Sequence, residues 1–210
     1  ATDLPSSYAS EEEAKKFSID GHLVGLLLHE PFFSHIMRGM TKRRTDDIPT
    51  AGVCVDRGGF KLLWNPRFVA GLESIKIRGL LKHECYHLIF KHCTSRKQDP
   101  HILWNWATDL AINSMIPESE LPEGGLVPGK PLDLSKVTDP SSLEKWRKVS
   151  KMIEGLPANQ SSEWYMNQLL SNEEIKKSIE ESQGQGGEGA PGGMDDHDGW
   201  GGLSDEERQV

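Results

Sequence analysis

Cysteine is scarce in this chain, cations are in no excess, and no long apolar run occurs among its 210 residues. The three cysteines, Cys54, Cys85 and Cys93, are odd in number and form no CxxC pair. Neither a disulfide framework nor a cysteine-rich zinc module is therefore expected, and a reducing, cytoplasmic setting fits best. Hydrophobic residues make up 36% and the mean hydropathy is -0.54. No stretch approaches the roughly 20 apolar residues of a membrane span, so no membrane partner is expected. The opening ATDLPSSYASEEEAKK lacks the apolar core of a signal peptide. No internal repeat is visible.

The charge is lopsided along the chain. Lys and Arg total 24 against 32 Asp and Glu. Nine of the acids lie between Glu180 and Glu207, opposed there only by Arg208, so residues 1–179 hold 23 charges of each sign. Nucleic-acid binding draws its affinity from clustered cations, and a neutral body with an acidic end excludes that class of partner. Only Lys42-Arg43-Arg44 offers a short basic run.

Residues 1–182 are long enough for one ordinary core, and residues 183–210 form a Gly-rich acidic tail. Nine of the twenty residues from Gln183 to Gly202 are glycine, which predicts disorder. The chain begins without Met and stops at LSDEERQV, where Ser204 before acids reads as the opening of a helix; a piece of a longer protein is expected.

Asp20 can cap a helix through HLVGLLLH, Glu30-Pro31 breaks it, and FFSHIMRGM continues as a second helical piece. Val53–Asp56 and Phe60–Trp64, joined through Arg57-Gly58-Gly59, predict a β-hairpin. Ser74 can open a long helix reaching about His92, on which Ile77, Leu81, Cys85 and Leu88 fall within roughly 80° and form a buried face. A helix in WNWATDLAINSM follows, with Trp104 and Trp106 expected in the core. Residues 117–140 are Pro- and Gly-rich and irregular, and helices return in SLEKWRKVSKMI, SSEWYMNQLL and NEEIKKSIEE. The fold class expected is α+β, mostly helical, with a small hairpin or sheet beside the long helix.

The chemistry concentrates in His83-Glu84-Cys85-Tyr86-His87, an HExxH in the middle of that helix. Four residues advance a helix by about 400°, so both imidazoles point the same way and can grip one Zn²⁺ at about 2.0–2.1 Å. Glu84 lies about 100° from His83, placed to take a proton from water that the metal has acidified. With 8 His and 19 Glu in the chain, chance would supply such a pattern only about 0.03 times, so the helical context makes it informative.

A catalytic zinc needs a third protein ligand and an open position. The candidates are Asp109 and His92. On an unbroken helix His92, nine residues after His83, falls on the opposite side, and the longer HExxHxxGxxH spacing is absent. Asp109 is better placed, because Asn105, Asp109 and Asn113 recur every four residues as a polar stripe on an apolar helix. The two amides can then orient the carboxylate; the alternative is a stripe that bridges neighbouring helices. The remaining histidines, His22, His29, His35 and His101, lack ligand spacing. Either hairpin strand, near Val53–Asp56 or Phe60–Trp64, is a candidate edge for an extended peptide, or the hairpin merely closes the core.

The order EPFFSHIMRGM, TAGVCVDRGGFKLLWNPRF, HECYHLIFKH, WNWATDLAIN, SSEWYMNQLL and DDHDGW resembles the metallopeptidase domain often found N-terminal to a von Willebrand factor A-like domain in bacterial and phage proteins. The resemblance runs from about Leu28 to Trp200. It implies a zincin-like fold, Zn²⁺ on His83 and His87, Glu84 as the catalytic base, and Asp109 as the third ligand. A peptide or protein substrate follows from it, as do an A-like domain beyond residue 210 and, by the same association, an AAA ATPase partner. It also changes how Asp195-Asp196-His197-Asp198-Gly199-Trp200 reads. His197 on its Gly-rich tether becomes a candidate cis-inhibitory group or additional ligand, where composition alone reads a solvated tail.

Overall fold

The structure, a computed structural model, describes residues 8–184, with side chains through residue 181. The chain divides into two compact units. Among the described residues, one runs through Arg96 and takes in Glu118–Pro122; the other holds Lys97–Pro117 and residues 123–184. The boundary at 182/183 and the DDHDGW segment with His197 fall at or outside the described residues. The fold is α+β and mostly helical, as the sequence predicts.

In the first unit come α1 (Glu11–Lys16), α2 (Asp20–His29), α3 (Pro31–Arg38), β1 (Met40–Arg44), β2 (Ala51–Asp56), β3 (Gly59–Trp64), α4 (Pro66–Ala70) and α5 (Ser74–Ile89). Glu30 and Pro31 separate α2 from α3 because proline has no N–H to extend a helix and suits its first turn. The hairpin forms as expected. Arg57 (φ 50°) and Gly58 (φ 78°) occupy the two positive-φ positions of a tight turn, which matches the twist of the flanking strands.

The sheet has one strand more than the sequence suggested. Its order is β1-β3-β2, with β1 parallel and β2 antiparallel to β3. The helical piece expected over FFSHIMRGM therefore ends at Arg38, and Met40 opens a strand that carries the Lys42-Arg43-Arg44 run. Because β3 is paired on both sides, Phe60–Trp64 is no edge and cannot accept an added peptide strand; β2 remains an edge among the described residues.

Alternation sets the buried face. Ala51, Val53, Leu62, Trp64 and Met40 turn inward onto Leu26, Phe33 and Met37 of α2 and α3 and onto Ile77, Leu80, Leu81 and Cys85 of α5. Leu88 packs against this cluster while partly exposed. The apolar stripe read from the helical wheel is thus the face by which α5 is seated, leaving His83 and His87 on another face.

The second unit is helical: α6 (His101–Asn113), α7 (Pro140–Glu154), α8 (Ser162–Leu170) and α9 (Glu173–Gly184). Asp139 caps α7 by accepting from the Ser142 amide, and Ser161 caps α8 by accepting from Trp164. Trp104 is fully buried, and Trp106 stacks on Trp146 with ring centroids 5.9 Å apart, so both tryptophans belong to the core. No described helix is long and apolar enough to cross a membrane.

Candidate metal centre

The HExxH lies inside α5 as the sequence predicts. The helix starts at Ser74, one residue earlier than a Ser74 cap would place it, with Glu73 as the flanking residue. Gly79 lets a neighbouring segment pass close: a Cβ there would stand 1.8 Å from the Glu120 carbonyl oxygen. Glu120 belongs to the short 3-10 turn Glu118–Glu120, and its carboxylate accepts from Lys82 Nζ at 2.9 Å. Glu30, between α2 and α3, accepts from the same ammonium at 3.1 Å. Burial pulls the Lys82 ammonium down, but the hydrogen bonds and charges of Glu120 and Glu30 outweigh it and lift the pKa above the usual lysine value. This clamp fixes the residue just before His83. Nothing in the sequence pairs Lys82 with Glu120, 38 positions away; the glycine in mid-helix was the signal of a close approach.

His83, Glu84 and His87 are fully buried. The Nε2 atoms of His83 and His87 face each other at 2.9 Å, with ring centroids 4.7 Å apart. Two nitrogens each about 2.0–2.1 Å from one Zn²⁺ stand roughly 2.9–3.4 Å apart for bite angles of about 90–110°, so the pair fits a shared ion at the close end of that range. His83, His87 and Asp109 each offer one ligand atom, and these atoms lie within 4.8 Å of one another. Two imidazoles and a carboxylate are a donor set suited to Zn²⁺.

Asp109 is buried in α6 with Asn113 one turn on. The Asn113 amide donates to the Leu126 carbonyl at 2.8 Å, tying α6 to the irregular segment that follows it. That bond joins the helix to an irregular segment and not to a neighbouring helix. Asn105 Oδ1 is buried without a hydrogen-bond partner among the described residues.

His92 is not where an unbroken helix would put it. α5 ends at Ile89; Phe90 caps it and Lys91 takes the left-handed conformation at φ 56°. The Lys91 amide donates to the Leu88 carbonyl and the His92 amide to that of His87, both at 3.0 Å. This pair of bonds is a Schellman stop, which turns the chain back on the helix. His92 is consequently fully buried with its Nδ1 3.3 Å from Nδ1 of His87.

Cys85 is buried next to Glu84 on the seated face of the helix. Burial first, and the Glu84 charge second, push its thiol up to about 12 against a smaller opposing effect of Lys42. Of the other histidines, His29 and His35 are exposed and His22 and His101 half-buried.

A family model described as "Putative metallopeptidase domain" matches residues 21–209. The chain belongs to this family. No curated protein and no solved structure matches it. The metallopeptidase-domain match takes in the hairpin, the HExxH helix and α6 together, and with the His83, His87 and Asp109 cluster it fits a metal-binding role.

Proposed function

We propose that this chain is a zinc-dependent peptide hydrolase in which His83, His87 and Asp109 hold the metal and Glu84 is the general base. The observation that carries this reading is the facing pair of buried imidazole Nε2 atoms at 2.9 Å on one helix. When bound, zinc supplies Lewis-acid polarisation of a carbonyl and acidification of water. His83 and His87 present neutral Nε2 donors, and Asp109 adds a negative charge. Glu84 takes the proton of the attacking water and returns it to the leaving amine. The edge strand β2 offers backbone groups to an extended peptide. A reducing, cytoplasmic setting suits the thiols at Cys54 and Cys85.

The test is metal analysis followed by digestion of labelled casein and a mixed peptide library. Glu84→Gln is expected to retain zinc and lose about 10²–10⁴-fold in rate. Cleavage by that variant at the parent rate would remove Glu84 from the mechanism.

Complete burial of His83, Glu84 and His87 favours a second reading, a metal-stabilised module that binds a partner peptide without cutting it. Structural zinc sites are closed and contribute folding energy, whereas catalytic ones keep an open position. Unfolding on chelation, with no cleavage by the zinc-loaded protein, supports the second reading; a folded metal-free chain that regains cleavage with zinc supports the first.

A further inference from the structure

We propose that His92 is a positioning residue that accepts a hydrogen bond from Nδ1 of His87 and so fixes the tautomer in which His87 offers Nε2 to the metal. The inference rests on the metal reading above and deepens it. A neutral imidazole that ligates through Nε2 carries its proton on Nδ1, and that N–H needs an acceptor to hold the ring in place. In His87 the Nε2 faces His83 and the Nδ1 faces Nδ1 of His92 at 3.3 Å. Two facing ring nitrogens share one proton between them. With His87 the donor, His92 is the acceptor and carries its own proton on Nε2.

The fold around His92 supports this role. A Schellman stop commonly brings the second residue past the cap against the residue five positions earlier through an apolar contact. Here those two positions are His92 and His87, so a contact that usually only packs becomes a directional hydrogen bond. The ring of Phe90 stacks on Tyr86 at 5.7 Å and lies against His92 at 5.5 Å, restricting the imidazole. The Arg96 guanidinium donates to the Phe90 carbonyl at 3.2 Å and holds the reversed chain. His92 is not itself in the group whose ligand atoms gather around one point, which is His83, His87 and Asp109. Its Nδ1 meets His87 on the ring edge away from Nε2.

The experiment compares the parent with His92→Leu, which removes the acceptor, and His92→Asn, whose side-chain oxygen can replace it near the Nδ1 position. Zn²⁺ affinity is read by competition with a chromogenic chelator. Folding of the metal-free chains is read by urea titration, and the His87 tautomer by long-range ¹⁵N–¹H correlation spectra. The expected result is a His87 Nδ1–H tautomer in the metal-free parent, a fall of about 10–100-fold in zinc affinity for the folded Leu variant, and recovery in the Asn variant. Parent-like affinity in a folded Leu variant overturns the proposal and leaves the metal reading standing. A parent that takes up no zinc overturns the metal reading instead. If the Leu variant fails to fold, the parent spectrum decides, and a His87 carrying its proton on Nε2 overturns the proposal.

Discussion

A methyl group at Gly79 has nowhere to go, because the atoms it would meet at 1.8 and 2.6 Å are the Glu120 backbone oxygen and carbon. Gly79→Ala is therefore expected to lower stability by about 2–3 kcal/mol, seen as an earlier urea midpoint, since backbone yields less readily than a side-chain tip. Lys82, three residues on, gives a pH signature. Its pKa is raised in the folded chain, so its contribution is complete below the unfolded lysine value of about 10.4 and is lost as pH rises through the higher folded value. Urea midpoints measured from pH 9 upward should fall more steeply for the parent than for Lys82→Met. Equal slopes would mean that the clamp to Glu30 and Glu120 contributes little. At this scale the sequence was informative where spacing alone decides geometry. His83, Glu84 and His87 sit as a helix must put them, whereas Lys82 depends on partners 38 and 52 positions away that no local pattern reveals.

The stop of α5 shows why an element's end is harder to read than its middle. Helices that end in a left-handed residue usually place Gly there, and Lys91 hides the signal. Holding a residue with a Cβ at φ 56° costs about 1–2 kcal/mol, partly offset because Gly would make the unfolded chain freer. Lys91→Gly should thus raise stability by up to about 1 kcal/mol, and the β-branched Lys91→Ile should lower it; thermal unfolding of the two variants reads both signs. The hairpin was legible for the opposite reason: Arg57-Gly58 lies between alternating apolar residues that share one buried face. Strand β1 was not legible, because only Met40 of its five residues is buried and a charged exposed run has no period to detect. Pairing with β3, a tertiary contact, makes it a strand.

For the molecule as a whole, the even balance of charge over residues 1–179 leaves metal binding, rather than long-range electrostatics, as the expected lever on stability. Zinc at 100 times its dissociation constant should add about 2.7 kcal/mol, read as a thermal midpoint that climbs with metal concentration and returns on chelation. A midpoint indifferent to zinc would argue against a site on His83 and His87 that prefers the folded chain. The α+β class and the order of the later helices were legible from turn residues and caps, but the division into two units was not. Glu118–Pro122 joins the first unit from within a stretch that otherwise belongs to the second, and the Gly79 approach and the Lys82 clamp hold that return.

The parallel pairing of β1 with β3 also bears on how the protein stays dispersed. A three-stranded sheet has two outer strands, and any strand with unpaired backbone groups is a template for association between copies. Along β1 the side chains after Met40 are Thr41, Lys42, Arg43 and Arg44, so a second copy approaching that margin would set cation against cation. That repulsion guards against self-assembly, and replacing the three cations with Thr should show first as turbidity in concentrated solution.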